Sequence, residues 1–266
     1  MKIFGIDQTG AMMSKSKAKP LKALELIVNN ENQPQDLLFF EIPNLTDWIR
    51  SLNPSDHNHI FIDCVLGLPM DLAEISLDYS IRDWIKAAEN YNYNGNRFGR
   101  NVSEPFFDGI KKFYGLNENN FPKRNVEILL KSNSVFTTRP FQKNIQTGTF
   151  RIWKELAPVL EHIVLWPTDF YLNKKINVIF YEVYPSHFYQ KLFDLKFRTS
   201  DPLIKWASEL KMANPDFNLN SCLNHLKNPD YCDALVASLG GFKTITEKNV
   251  WANLNKTTFF EGDTLR

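Results

Sequence analysis

Only three of the 266 residues are cysteine (Cys64, Cys222 and Cys232), and no two of them form a CxxC pair. So sparse and odd a set argues against a disulfide framework, offers no zinc site, and predicts reduced thiols in a cytoplasmic protein. No stretch approaches the ~18 uninterrupted apolar residues of a membrane span. The start, Met1-Lys2-Ile3, runs into a short apolar strand without the long apolar core of a signal peptide. Neither sign of charge dominates, since 31 Lys+Arg against 30 Asp+Glu leave a formal net charge of +1. A protein living on generic phosphate attraction is therefore not expected, and any nucleic-acid site must be a local patch. The five histidines (His57, His59, His162, His187 and His225) lie in no recognisable nucleophile context, which argues against a Ser-His-Asp or Cys-His hydrolase. There is no internal repeat, and no low-complexity tract beyond a general enrichment in asparagine.

What is present is core material. Hydrophobic residues make up 43% of the chain, aromatics 14% and charged residues 23%, which excludes a disordered or collagen-like chain. Residues 2–8 read as a short buried strand ending in the turn Thr9-Gly10. Lys22 to Val28 and Leu37 to Ile42 give two more strands, and the short connections suggest an antiparallel meander. A helix follows from about Leu45 to Leu52, with Asn44 or Thr46 as its N-cap. His59 to Val65 is the fourth strand, and the helical crossover lets it lie parallel to the first. Residues 71–175 read as a helical and loop insertion, with helices near Asp78–Tyr91, Glu104–Tyr114 and Thr149–His162, the last shortened or kinked by Pro158. Asn177 to Val183 is the fifth strand. Helices follow at Ser186–Leu195, Pro202–Met212, Leu219–Leu226 and Asp230–Leu239. The expectation is an α/β protein of one domain, 1–266, with a mixed five-stranded sheet (three antiparallel strands, then parallel ones) and the insertion between strands four and five.

Carboxylates stand where strands meet turns. Asp7 ends strand one, Asp63 interrupts Ile60-Phe61-Ile62, and Glu182 interrupts Val178-Ile179-Phe180-Tyr181. Isolated carboxylates in buried strands are costly unless paired or bound to a cation. Were strands one, four and five parallel neighbours about 4.8 Å apart, three carboxylates would converge on the edge where open α/β sheets place ligands. Mg²⁺ or Mn²⁺ with hard oxygen ligands would offset their repulsion. Asp230 and Asp233, at i and i+3 of Asp-Tyr-Cys-Asp-Ala-Leu-Val-Ala (230–237), share a helical face, and Ala234 and Ala237 allow close approach to the sheet. Plainer roles compete: a turn residue for Asp7, a helix-start acid after Asn228-Pro229 for Asp230, and hydrogen-bonded buried carboxylates for Asp63 and Glu182.

The ordered set Gly-Ile-Asp (5–7), Ile-Asp-Cys-Val-Leu-Gly-Leu-Pro (62–69), Tyr-Glu-Val-Tyr-Pro (181–185) and the 230–237 segment resembles the domain-of-unknown-function family 429, regarded as predicted nucleases of RNase H-like fold. Gln-Thr-Gly-Thr-Phe-Arg-Ile-Trp (146–153) and Glu261-Gly262 also look like family features, although Asp263 stands where the family pattern has an aromatic residue. The resemblance implies an RNase H-like sheet and a two-metal phosphodiester hydrolysis using Mg²⁺ or Mn²⁺. Asp7, Asp63, Glu182 and Asp233 match the acids that would carry it, with Asp230 as an extra metal ligand. It makes nucleic acid a possible partner and names no target, leaving DNA, RNA, a junction and a small phosphoester open. Lys15, Lys17 and Lys19, or Arg97, Arg100, Arg139 and Arg151, are candidate phosphate contacts, each against the plainer reading of a solvated surface charge. His187, after Tyr184-Pro185-Ser186, could line the site. Two alternatives stand: a non-catalytic binding or scaffold protein that keeps the fold, and an actin- or sugar-kinase-like phosphotransferase suggested by Gly-Ile-Asp-Gln-Thr-Gly (5–10). The second lacks a Gly-rich Asp-Gly-Thr turn elsewhere in the chain.

Overall fold

The structure is a computed structural model that describes residues 1–8, 18–69, 72, 79–116, 121–129, 131, 134, 136, 143–169, 176–195 and 198–247. Its centre is a mixed sheet of six strands in the order β3-β2-β1-β4-β6-β5. The strands are β1 (Lys2–Asp7), β2 (Leu21–Val28), β3 (Pro34–Ile42), β4 (Asn58–Ile62), β5 (Val164–Trp166) and β6 (Val178–Glu182). β1 pairs antiparallel with β2, and β2 with β3, whereas β1, β4, β6 and β5 run parallel to one another. One strand more than expected is present. The three residues Val164-Leu165-Trp166 are too short to show a period in sequence, and they become a strand because β6 offers them its free edge. The 71–175 stretch is therefore not purely helix and loop.

Burial explains the pattern. Five of the six residues of β1 are buried, as a central strand covered on both faces requires, while the edge strand β3 is buried at only one of nine positions. Phe4, Ile6, Ile60, Ile62 and Phe180 belong to one apolar cluster with Trp84, Phe107 and Trp153 from the insertion. Ile3, Phe61, Tyr181 and Val183 belong to the other, with Phe188 and Leu235 from the C-terminal helices. Alternation along each strand thus feeds two separate cores.

The helices are α1 (Leu45–Ser51), α2 (Ile81–Glu89), α3 (Arg100–Phe113), α4 (Asn125–Leu129), α5 (Lys143–Leu156), α6 (Pro185–Phe193), α7 (Asp201–Ala213), α8 (Leu219–His225) and α9 (Pro229–Glu247). Asn44, not Thr46, caps α1, accepting a hydrogen bond from the Asp47 amide at 3.0 Å. α5 begins before Thr149 and passes into a 3-10 turn over Ala157–His162, where Pro158 removes a backbone donor. α9 extends beyond Leu239 through Gly240 and Gly241. These glycines do not end the helix; a Cβ on Gly240 would meet the Phe188 ring at 2.2 Å, and one on Gly241 the Phe61 ring at 2.3 Å. They bring α9 onto the sheet and onto α6. All three cysteines are free and buried. Among the described residues no helix is long and apolar enough to cross a membrane.

Candidate functional site

The approach of α9 to the sheet is closest at Gly5. A Cβ there would stand 1.9 Å from the carbonyl oxygen of Ala234, so only glycine lets the helix lie flat on β1. That contact sets Asp233, the residue before Ala234, against the carboxyl end of β1. Asp7 lies two residues beyond Gly5 and hence on the same side of the pleat. On β4, Phe61 meets α9 at Gly241, which places Asp63 on that side as well. Asp63 follows the last residue of β4, yet its amide still donates to the Ile6 carbonyl at 3.3 Å, so it stays in the ladder beside β1. Asp7, Asp63 and Asp233 are thus brought to one corner, under the first turns of α9.

The corner holds carboxylates out of water. Asp7 and Asp233 are each only 1% exposed, and Asp63 is partly buried. Desolvation pushes Asp63 up to about 7, opposed by the Arg198 guanidinium and reinforced by the charges of Asp233 and Glu182. Asp233 is raised to about 6, again chiefly by burial, with Arg198 opposing and Asp230 adding to the rise. Arg198 Nη1 lies 2.6 Å from Asp233 Oδ2, but the arginine is itself 45% exposed and holds this position only from outside. Asp233 Oδ1 has no hydrogen-bond partner.

Glu182 is treated differently. It is the last residue of β6 and pairs with Ile62, but it shares the side of Phe180, which faces the insertion core. There Arg124, fully buried, grips it in a bidentate pair: Nη1 donates to Oε2 at 2.7 Å and Nη2 to Oε1 at 2.6 Å. The Leu66 amide also donates to Oε2 at 2.8 Å. Arg124 in turn donates from Nε to Glu127 Oε1 at 3.1 Å and from Nη2 to the Tyr184 hydroxyl at 3.0 Å. The Glu182 charge reaches Asp63, but its oxygens are spoken for on the other face. The expected quartet is therefore a trio plus one acid held by an arginine.

Asp230 sits in the first turn of α9, partly buried, with its amide accepted by Asn228 Oδ1 at 2.9 Å. This is the helix-start geometry, one turn away from Asp233, whose pKa its charge helps to raise. His187 is half-buried in the first turn of α6. Cys64 lies next to Asp63, and burial holds its thiol well above the usual range, with Glu182 and Asp63 reinforcing it, so it is no ready nucleophile. Among the basic candidates, Arg151 is fully buried and unavailable to a phosphate; it pairs with Glu155 at 2.9 Å and donates to the Lys19 carbonyl. Arg97 and Lys19 are exposed, and Arg100 pairs with Glu104 at 2.7 Å. Lys15, Lys17, Arg139, the Thr9-Gly10 turn and Glu261-Gly262 lie outside the described residues.

The segment 146–153 is helical and buried in α5. Gly148 lies against the Gln8 side chain, where a Cβ would come within 2.3 Å of Oε1, and Trp153 Nε1 donates to the Val65 carbonyl at 2.7 Å. It braces the residues that follow Asp7 and Asp63. Three residues at this sheet edge went unmarked in sequence: Arg124, Arg198 and Tyr189. Only a surplus of acid at the edge hinted that cations were needed there. Among the described residues no three His, Cys, Asp or Glu side chains are grouped closely enough to hold a metal ion. No family model, curated protein or solved structure matches the chain.

Proposed function

We propose that the protein is a metal-dependent phosphodiester hydrolase of RNase H-like architecture, acting on nucleic acid at the corner formed by Asp7, Asp63 and Asp233. The observation that carries this reading is the convergence of three desolvated carboxylates from β1, β4 and α9, two of which, Asp63 and Asp233, are raised by burial despite the half-exposed Arg198 beside them. The strand order, a three-stranded antiparallel meander continued by parallel strands, supports the architecture.

The donor set fits Mg²⁺ or Mn²⁺ in chemistry: hard carboxylate oxygens, one of them (Asp233 Oδ1) buried and without a hydrogen-bond partner. Their spacing is wider than a closed coordination sphere, and Arg198 supplies the positive charge beside Asp233. Asp7, Asp63 and Asp233 would hold the cation. Glu182 would act through its ion pair with Arg124, fixing the Leu66 backbone next to Asp63. A bound divalent cation lowers the pKa of water and offsets charge on phosphate oxygens. Without a cation, burial raises Asp63 to about 7, and a bound cation would hold its carboxylate in the charged form. Arg198, beside Asp233, would hold a phosphate oxygen.

Mg²⁺ and Mn²⁺ titration followed by thermal melting tests the reading. Wild type is expected to show saturable stabilisation that is lost in Asp7→Asn and Asp233→Asn, together with metal-dependent cleavage of single- or double-stranded DNA or RNA. A wild type that neither gains stability from either metal nor cleaves any of these substrates would leave the non-catalytic scaffold as the better account. The stoichiometry of the titration decides between one ion and two.

A further inference from the structure

Beside Asp233 opens a pocket of about 140 Å³. That is several times the roughly 30 Å³ occupied by one water. Arg198, Thr199 and Ser200 form one wall, Lys227 another, and Tyr189 and Asp233 line it as well. Two cations against one carboxylate leave the pocket net positive. Tyr189 is 1% exposed and its hydroxyl has no hydrogen-bond partner. A buried hydroxyl left in that state carries an uncompensated desolvation cost. It also lies within the fields of Asp233, Arg198 and Asp7, so it stands between this pocket and the carboxylate corner. The 13-residue helix α7 begins at the rim, where Ser200 makes no side-chain cap bond and Thr199 Oγ1 accepts from the Asp201 amide at 3.4 Å.

Taken singly, these features are ordinary. Lys227 is an exposed lysine bonded to Asn224 Oδ1 at 2.9 Å, and a helix start alone defines nothing. The buried, unsatisfied phenol is the feature that needs a partner from outside; Arg198 and Lys227 in the pocket lining favour an anion there, against the nearby charges of Asp233 and Asp7.

We propose that this pocket is an oxyanion subsite of the phosphate class, with Arg198 and Lys227 as charged donors and the Tyr189 hydroxyl as the buried donor. The guanidinium carries five N–H donors, so Arg198 can keep Asp233 and still reach an anion. Resting on the hydrolase reading, the group bound is the backbone phosphate next to the one under attack, which sets where along a strand the corner cuts. The ligand chemistry is shared with free phosphate, and the experiment separates the two.

The test uses the full chain without added metal. Thermal melting is followed against sodium phosphate, with sodium chloride at matched ionic strength as control, and against a short single-stranded oligonucleotide. Wild type is expected to show a saturable phosphate shift beyond the chloride control. Lys227→Ala and Arg198→Ala should weaken it roughly tenfold or more, and Tyr189→Phe several-fold. Arg198→Ala also unpairs Asp233, so Lys227→Ala and Tyr189→Phe, which leave that ion pair intact, decide the matter if it folds poorly. The oligonucleotide binding more tightly than phosphate, with the same losses, identifies the polymer backbone as the ligand; phosphate alone binding identifies a free anion. No shift beyond chloride, or equal affinities across the variants, overturns the subsite. Asp7→Asn should keep phosphate binding while losing the metal response, so failure of the subsite and failure of the metal site are read separately.

Discussion

Two buried acidic settings lie on opposite faces of the same sheet edge, and they are solved in opposite ways. On the insertion face, Glu182 meets a bidentate arginine, a backbone amide and a second acid on the same guanidinium. On the α9 face, the half-exposed Arg198 pairs with Asp233 and acts on Asp63 through its charge. One setting is compensated. The other stays under-compensated, and its acids are pushed towards protonation. Burial alone does not mark a site; the informative quantity is buried charge minus the charge that answers it.

The largest expected effect breaks the compensated side. Arg124→Ala leaves Glu182 and Glu127 buried without their cation, and should cost about 3–5 kcal/mol of stability. Urea denaturation measures it. Replacing Arg124 and Glu182 together with methionine should cost clearly less than Arg124→Ala, and an equal cost would mean that the pair itself is not what holds this face.

A smaller loss is expected from Gly5→Val, which drives a side chain into the Ala234 carbonyl. Lifting α9 off β1 should cost about 1–3 kcal/mol, and the metal-induced rise in melting temperature should disappear with it. A variant that melts lower yet keeps the full metal response would separate the position of α9 from the site.

The smallest effect sharpens the under-compensated side. Asp63 and Asp233 bind protons more tightly folded than unfolded, so their contribution to stability is complete below pH ~4 and is lost as pH rises through about 6 and about 7. Relative to wild type without metal, Asp63→Asn and Asp233→Asn should therefore gain on the order of 1 kcal/mol between pH 5 and pH 7.5. Denaturation midpoints at the two pH values show it, and parallel wild-type and variant curves would count against these two groups as the source.

Much of the fold was legible because its strands are buried runs bounded by turns. β1, β2, β4 and β6 announced themselves through Ile3-Phe4-Gly5-Ile6, Leu24-Glu25-Leu26-Ile27, Ile60-Phe61-Ile62 and Val178-Ile179-Phe180-Tyr181. β5 did not, since three residues carry no period and depend on a free neighbouring edge. Gly240-Gly241 has the composition of a helix stop after Leu239, whereas here the missing side chains make room for Phe188 and Phe61 and α9 continues.

The acids themselves were visible, since a carboxylate inside an apolar run is conspicuous in any reading. Their grouping was less so. Position along a strand put Asp7, Asp63 and Glu182 at one edge, and that much needed only strand order and the parallel register. Which face each took was already encoded in pleat parity, with Asp7 counted from Gly5 and Glu182 from Phe180. Parity becomes decisive only once the sheet has a helix layer on each side. What the tertiary structure alone decided was the answering charge. Arg124, Arg198 and Tyr189 come from segments 58 residues before Glu182, 35 residues before Asp233 and 44 residues before Asp233 in the chain. Local pattern says where an acid must be buried, because burial follows the period of its own strand. Which distant cation meets it is settled by packing between layers, and no periodicity within a single segment carries that information.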